Sequence, residues 1–273
     1  MKNLIKMDFY RLFHTKAFSV GILAAFVVSI VTAFFNYGIV ELIKISIPSD
    51  PTMAETIGFI IPAARWIVGV DYADIVISGS GAFSLLISCM VAASFISTEH
   101  SSGYVKNVIG QLSDRGHTVV SKFVATSAIH LIVLLIYTFV NIVITSTFLG
   151  EYIVSYSIGN LIGALLTRLL LYFAINAVIV FLCILTKSQS LAMVIGAIFG
   201  TGVTQIVYYI ASALLGILKI DFDITSYMPD GINGALSVGD INSLYGKAIC
   251  VSIVFIAVFL TGSIAIIKNR DVR

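Results

Sequence analysis

The sequence predicts an all-α membrane protein whose six transmembrane helices form one domain over residues 1–273. Hydrophobic residues make up 59% of the chain and charged residues only 11%, and the mean hydropathy of +1.04 lies far above that of a soluble domain. The apolar residues are gathered into six long runs, and the segments between them carry their positive charges unevenly. These observations exclude a soluble globular domain.

Each apolar run can supply the ~20 residues with which a helix crosses a ~30 Å hydrocarbon core. The runs lie at about residues 17–37, 79–97, 123–149, 164–186, 189–218 and 247–267. All four prolines fall in the segments after the first and the fifth run, so the predicted helices contain none of these helix breakers.

Positive charge is concentrated on one side of the predicted membrane domain. If the N-terminus is cytoplasmic, the cytoplasmic segments hold eleven Lys and Arg residues and the opposite side holds four, namely Lys44, Arg65, Lys219 and Lys247. Cytoplasmic segments of membrane proteins are enriched in Lys and Arg. The sequence therefore predicts a multi-pass protein of the cell (plasma) membrane with both termini in the cytoplasm.

Residues 2–16 are predicted to form a short amphipathic helix before the first crossing. Its apolar residues recur at helical spacing, namely Ile5, Phe9, Leu12 and Phe13. Its cations lie on other faces, namely Lys2, Lys6 and Arg11. This pattern is typical of a helix that lies in the cytoplasmic interface with its cations near anionic headgroups. The alternative is that the segment extends the first transmembrane helix.

Arg168 lies near the start of the fourth run, and two interpretations are open. An ionisable residue inside a membrane helix is commonly functional. The 18 residues from Leu169 to Thr186 nevertheless rise ~27 Å as a helix, nearly the whole hydrocarbon core. This length favours Arg168 as a boundary residue that snorkels to the outer interface. Three other polar residues of the runs are interpreted as packing or hydrogen-bonding residues: His130, Asn141 and Asn176.

The residue patterns of known catalytic and metal sites are missing from the sequence. A nucleotide-binding loop needs G-x-x-x-x-G-K-[ST], but Gly246-Lys247 is followed by Ala248, and position 241 is Ile. No H-E-x-x-H motif or paired Cys/His cluster is present for zinc, and the three cysteines fall inside predicted helices. The sequence therefore predicts no catalytic residue, no metal site and no cofactor bound by this chain.

The segment between the second and third runs has the most specific pattern in the chain. An acid ends the second run and is followed by a glycine, an apolar residue and a cation, then by a polar-Arg turn and a Ser-Lys pair. These positions are Glu99, Gly103, Val105, Lys106, Asp114-Arg115 and Ser121-Lys122. In order and spacing the segment resembles the corresponding loop in permease subunits of the type-2 ABC exporter family. Because the chain is small and has no extended sugar-channel loop, it looks most like the peptide-export and peptide-immunity branch of that family.

Two further segments resemble the same family, so the resemblance covers essentially the full length. One is the entry to the first crossing, with Asp8, Arg11, Leu12 and Lys16, and the other is Tyr227-Met228-Pro229 in the last long loop.

The resemblance implies that the loop contains a short cytoplasmic coupling helix, at about residues 101–111, that docks on an ATPase subunit. The residues expected to take part are Glu99, Gly103, Tyr104, Val105, Lys106, Val108, Ile109 and Arg115. A solvated loop that only carries positive charge is the alternative, but it leaves the apolar residues of this amphipathic stretch unexplained.

The resemblance further implies the transmembrane subunit of an ABC exporter that moves an amphipathic substrate, with a peptide favoured, out of the cell. ATP and Mg would be bound by a separate ABC ATPase subunit, present in two copies beside two permease protomers that are identical or related. The chain would contact the lipid bilayer and no nucleic acid. Two other classes stay open. One is an ATP-independent channel or secondary transporter, which would need ionisable residues at membrane depth or broken helices; the other is a non-transporting membrane scaffold.

The fifth run carries small residues at four-residue intervals, which place them on one helix face: Ala192, Gly196, Gly200 and Thr204. Such a strip lets another backbone approach closely. Packing inside one protomer is one interpretation. The other, implied by the resemblance, is contact with the first helix of a second protomer.

Overall fold

The structure is a computed structural model that describes residues 1–46, 81–101, 115–148, 158–186, 188–217, 222–236 and 241–269. These residues are helical almost throughout and contain no β-strand. The helices are α1 Lys2–Phe13, α2 Lys16–Ser46, α3 Ala82–Ser101, α4 Gly116–Phe148, α5 Ile158–Thr186, α6 Gln189–Thr201, α7 Val203–Ile217, α8 Pro229–Ala235 and α9 Ile241–Asn269. A 3₁₀ turn, Thr225–Tyr227, precedes α8.

Four of the described helices are long and apolar enough to cross a membrane: α4, α5 and the stretches Lys16–Phe35 of α2 and Leu244–Asn269 of α9. The pair formed by α6 and α7 passes the same test together, although the two are bent by 69°. The apolar part of α3, Phe83–Thr98, is shorter. The protein is thus an all-helical, multi-pass membrane protein with four or five candidate spanning helices. A sixth crossing, through α3, stays a prediction.

The single helix predicted over residues 189–218 is broken in the structure. The Ser188 side chain accepts a hydrogen bond from the Leu191 amide at 3.4 Å and begins α6, which ends at Gly202 with a left-handed φ of 73°. The 13 residues of α6 and the 15 of α7 rise ~28 Å along the α6 axis once the bend is included. This is close to the ~30 Å hydrocarbon core, so the bent pair is long enough for one broken crossing, and a re-entrant loop is the other arrangement that such a pair can take. The predicted straight helix is wrong, and the crossing itself stays a prediction.

Helix α3 lies in the middle of the bundle and packs against α2, α4, α5 and α6. Its residues 91–97 are all buried. Gly21 of α2 approaches α3 so closely that an added Cβ would lie 2.3 Å from a methyl carbon of Val91. Because lipid tails are as apolar as the side chains, close packing of this kind, rather than exclusion of water, holds membrane helices together.

Three helices leave much of their apolar surface outside this core. Only 22% of the apolar window of α2 and 11% of that of α9 is buried in the protein, and no residue of α7 is buried. Apolar side chains that face lipid need no protein cover. These faces suit contact with a bilayer.

Helix α1 is a separate helix and not an extension of α2. It ends at Phe13, where the amides of His14 and Thr15 bond to carbonyls of its last turn. The Thr15 hydroxyl then accepts a hydrogen bond from the Phe18 amide at 3.3 Å, at the start of α2. α1 packs against α4, and its placement in the membrane interface stays a prediction.

Candidate functional site

A buried polar contact joins α1 to the first turns of α4. The Ser121 hydroxyl donates a hydrogen bond of 2.5 Å to the Asp8 carboxylate, across 113 residues of sequence. Asp8 is 3% exposed and Lys122 is 6% exposed. The Lys122 ammonium is attracted by the Asp8 carboxylate and repelled by the Arg11 guanidinium. Asp8, Ser121 and Lys122 are called the α1–α4 junction below.

The spacing of residues in α1 explains why this carboxylate is buried. Leu4, Asp8 and Leu12 follow one another at four-residue intervals, so they share one helix face. All three are buried, and Leu12 is fully inaccessible. A buried carboxylate is tolerated where a hydroxyl and a cation compensate its lost hydration, which are the groups that Ser121 and Lys122 supply.

The α1–α4 junction lies beside the segment predicted to couple to an ATPase. α3 ends at Ser101, α4 begins at Gly116, and Arg115 is exposed directly before α4. Ser121 follows Arg115 by six residues, a rise of ~9 Å. Glu99 belongs to the last turn of α3. The remaining predicted coupling residues lie outside the described residues: Gly103, Tyr104, Val105, Lys106, Val108 and Ile109.

A second set of buried polar groups follows one face of α5. Arg168, Tyr172 and Asn176 recur at four-residue intervals, and they are called the α5 polar stripe below. The Arg168 Nε donates to the Asn233 side-chain oxygen at 3.0 Å, and its Nη2 donates to the Asn233 carbonyl at 3.4 Å. Asn233 belongs to α8, so the first residue of the stripe bonds α5 to α8.

The other two residues of the stripe bond α5 to α3 and α4. The Tyr172 hydroxyl donates to the Gly81 carbonyl at 2.7 Å and lies 2.6 Å from the Ser84 hydroxyl. The Asn176 amide donates to the Ser127 hydroxyl at 3.0 Å and to the Phe123 carbonyl at 3.2 Å. These contacts set the positions of α3, α4 and α5 relative to one another.

Arg168 does not snorkel, and the interpretation that the sequence favoured is wrong. Only 2% of its surface is accessible, and its guanidinium faces protein acceptors instead of the interface. The length of α5 still places it near the end of a hydrocarbon core. Arg168 is buried and not exposed at the interface because α8 packs over the beginning of α5 and covers the side chain. The length of the apolar run carries no information about this contact.

His130 is the least compensated polar side chain of this region. Its ring is fully buried, and its centre lies 6.1 Å from that of Tyr172 in an edge-on arrangement. The ring also lies near Asn176, but within the described part of the chain neither ring nitrogen makes a hydrogen bond of good geometry. The Asn176 side-chain oxygen is likewise without a partner there. Such groups are rare in protein interiors and mark places where a proton, water or ligand can bind.

Sequence reasoning missed Tyr172, Ser84 and Asn233. The available signal was the four-residue spacing of Tyr172 and Asn176 from Arg168, since three polar residues on one face of an apolar helix rarely face lipid. Asn176 and Asn141 do act as hydrogen-bonding residues. The Asn141 amide donates to the carbonyl one turn earlier at 2.8 Å. Among the described residues, no group of three His, Cys, Asp or Glu side chains could hold a metal ion.

The strip of small residues is divided by the break at Gly202. Ala192 begins the strip in the first turn of α6. A Cβ added to Gly196 would lie 3.2 Å from the Cβ of Cys89, and one added to Gly200 would lie 2.2 Å from the Cα of Leu86. Both glycines therefore pack on α3 of the same chain. Thr204 follows the break and bonds to Asp230. Contact of the strip with a second protomer is a separate prediction that these contacts do not test.

Comparison with known proteins identifies a family whose function is described as unknown. A family model described as "Protein of unknown function (DUF2705)" matches residues 52–273, and the chain belongs to that family. No curated protein matches the chain.

Proposed function

We propose that this DUF2705 protein is the transmembrane subunit of an ABC exporter and works with a separate ATPase subunit. The observation that carries the proposal is the α1–α4 junction. Two segments that resemble the permease family independently, around Asp8 and around Ser121-Lys122, meet in the structure. They meet beside the segment that would dock on the ATPase.

The junction gives the proposed coupling a physical basis. α4 continues from the coupling segment as one helix of 33 residues, so a displacement at its first turn moves the whole helix. Removing one member of a buried, charge-compensated contact is strongly unfavourable. α1 and α4 would therefore move as one body when the ATPase changes the position of the coupling segment.

The proposed assembly contains two permease protomers, identical or related, and two ATPase subunits that bind ATP and Mg. The resemblance favours an amphipathic peptide as the exported substrate. The exposed apolar faces of α2, α7 and α9 suit lipid, and they equally suit an amphipathic substrate that reaches the transporter from the bilayer.

Copurification tests the proposal directly. The tagged full-length chain, solubilised from its native membranes in mild detergent, should retain an ATPase subunit in stoichiometric amount. Val105→Asp with Ile109→Asp should remove that subunit, because the change places charge in an apolar contact. Tyr10→Asp is the matched control, since Tyr10 is 65% exposed on the face of α1 away from α4. Retention of the ATPase by the double variant would contradict the docking assignment, and absence of any ATPase would contradict the exporter itself.

Six crossings and cytoplasmic termini belong to the same proposal. Single cysteines at Ser49, Gly150 and Tyr227, in a background without the native cysteines, should react with an impermeant thiol reagent from outside intact cells. Cysteines at Ser113 and Ser188 should react only after the membrane is opened. Labelling at Ser113 from outside would reverse the proposed orientation.

A second candidate, an ATP-independent secondary transporter or channel, is favoured by two observations. α6 and α7 form a broken helix, and Arg168 and His130 are ionisable residues buried between membrane helices. Both features are common at the binding sites of secondary transporters. The purified chain alone, reconstituted into vesicles, separates the two candidates: uptake or release driven by a proton or sodium gradient without ATP supports the second and contradicts the first.

A further inference from the structure

Helix α7 is held in place differently from the other long helices. No residue of α7 is buried, so side-chain packing in the core does not fix its direction. It is bent by 69° from α6 at Gly202, whose φ of 73° is accessible to glycine at little cost and unfavourable for residues with a Cβ. A single glycine between two straight helices is a site at which one helix can turn relative to the other.

The polar face of α7 is bonded to residues 222–236. The Thr204 hydroxyl donates to one oxygen of the Asp230 carboxylate, and the Tyr208 hydroxyl donates to the other at 3.2 Å. The Gln205 side chain donates to the Asp230 carbonyl at 3.2 Å. One turn farther along, the Ser212 hydroxyl accepts a hydrogen bond of 3.0 Å from the backbone of this segment. Three of these four hydrogen bonds reach Asp230.

Residues 222–236 are in turn attached to the rest of the bundle. Arg168 of α5 bonds to Asn233 near the end of α8, where a cation also complements the helix dipole. Ile232 is buried against Leu171 of α5 and Ala248 of α9. The segment therefore links α7 to α5 and α9.

These contacts lie at the end of the bundle away from α1. The contacts of α1 involve Ser121 and Lys122 at the beginning of α4, and the Asn176 amide reaches the neighbouring Phe123 carbonyl. Arg168 precedes Asn176 by eight residues, a rise of ~12 Å along α5 in the opposite direction from the α1–α4 junction. α7 and the proposed ATPase contacts therefore occupy opposite ends.

We propose that Asp230 is the positioning residue for α7, and that α7 is a hinged arm which turns about Gly202 when this carboxylate loses its partners. The carboxylate gathers both hydroxyl donors of α7 at one point. It is itself 2% exposed, so an unpaired state inside the protein is unfavourable. The arm thus has one bonded orientation and is joined to α6 through a glycine in the left-handed conformation. The inference holds for an ATP-driven exporter and for an ATP-independent transporter, because it concerns the attachment of α7 and not the energy source of transport.

Distance measurements between spin labels test the proposal on the full-length chain in lipid nanodiscs. One label replaces Leu214 on the exposed face of α7 and the other replaces Ile249 on α9. Leu214 lies ~18 Å along the helix from Gly202, so a turn of ~20° about the hinge moves that label by ~6 Å. A second pair, at Ile162 of α5 and Ile249, reports whether the bundle itself stays intact. The native cysteines are replaced in all proteins: Cys89, Cys183 and Cys250.

Asp230→Ala should broaden the α7–α9 distance distribution and shift part of it by several ångströms, whereas the α5–α9 distribution should stay unchanged. Thr204→Val combined with Tyr208→Phe should give the same result with Asp230 still present. If the Asp230→Ala protein does not fold, this double variant tests the proposal in its place. Asp230→Asn should show a smaller change, because the amide oxygen can still accept one of the two hydrogen bonds.

Asp223→Ala is the matched control. Its carboxylate accepts hydrogen bonds from the Thr225 amide and the Ser226 hydroxyl of its own segment and, within the part of the chain that the structure describes, bonds to no residue of α7, so both distributions should remain as in the parent protein. The proposal is overturned if the α7–α9 distribution is unchanged in both the Asp230→Ala protein and the Thr204/Tyr208 variant. It is equally overturned if both label pairs change together in both of them, since that result means general loosening of the bundle.

Discussion

Gly200→Ala should destabilise the protein even though alanine is the better helix former. The added Cβ would lie 2.2 Å from the Cα of Leu86 and 2.5 Å from its Cβ. Ordinary contact between carbon atoms begins near ~3.5 Å, so α6 or α3 must move by more than ~1 Å. The obstacle is partly backbone, so a change of rotamer cannot relieve it.

The magnitude follows from two opposing effects. Replacing glycine by alanine inside a helix stabilises by about 0.5–1 kcal/mol. Overpacking of a close contact costs about 1–3 kcal/mol and occasionally more. Gly200→Ala should therefore lower the free energy of unfolding by about 1–2 kcal/mol. At Gly196 the added Cβ would meet Cys89 at 3.2 Å, so the two effects should nearly cancel.

Gly163→Ala provides the control for this series. Its added Cβ would lie 3.8 Å from the Tyr245 ring, an ordinary contact, so the variant should be more stable by about 0.5 kcal/mol. Unfolding of the purified monomer in mixed micelles of increasing SDS content, followed by circular dichroism, gives the three values. Equal stability of the Gly200→Ala and Gly163→Ala proteins would refute close packing of α6 on α3. The measurement on a monomer also excludes any contribution from a second protomer.

Three further outcomes follow from the buried polar contacts. Asp8→Asn or Lys122→Met alone should cost about 1–3 kcal/mol of unfolding free energy, because each leaves a buried group less well compensated, whereas the double variant should recover part of it, as a double-mutant cycle would measure. Tyr172→Phe should cost about 0.5–1.5 kcal/mol, the net value of one hydrogen bond, because the Gly81 carbonyl still accepts from the Ser84 hydroxyl at 3.0 Å, while Tyr209→Phe, at an exposed position of α7, should change stability by less than about 0.5 kcal/mol. Burial raises the pKa of the Asp230 carboxyl above its ordinary value, against the opposing effect of its hydrogen-bond donors. Protonation of Asp230 therefore favours the folded state, so the contribution of this group to the unfolding free energy should be fully present below about pH 4 and be lost as the pH rises through the raised pKa; the difference in unfolding free energy between the parent and the Asp230→Asn protein should show this pH dependence.

The positions of the long helices could be predicted because membrane helices require long apolar runs. Every predicted run coincides with a helix or, in one case, with a pair of helices. The ends were less predictable. α4 begins at Gly116, before the predicted start at residue 123, because polar residues such as Ser121 and Lys122 continue the helix while they contact α1. The hydropathy of a sequence indicates which residues can lie in lipid. It does not indicate the residue at which the helix begins.

The break at Gly202 could not be predicted from the run that contains it. Glycine is common in membrane helices, and Gly196 and Gly200 in the same run remain helical because α3 packs against them. What distinguishes Gly202 is the next turn, where Thr204 bonds to Asp230. That partner lies 26 residues later in the sequence, so a tertiary contact accompanies the change of direction, together with the left-handed φ that glycine adopts easily at position 202.

The buried polar residues carry most of the information that specifies this arrangement of helices. Moving an apolar side chain from lipid to a helix contact brings no hydrophobic gain, so hydropathy alone does not determine which face of a helix turns inward. A hydroxyl, amide or guanidinium does, because a bilayer core offers it no hydrogen-bond partner. The α5 polar stripe connects α5 with α3, α4 and α8 through Tyr172, Asn176 and Arg168, and the α1–α4 junction adds α1. In an apolar run, polar residues at four-residue spacing are therefore the first places to look for helix contacts, and a lone boundary position such as Arg168 should be judged together with the residues one and two turns beyond it.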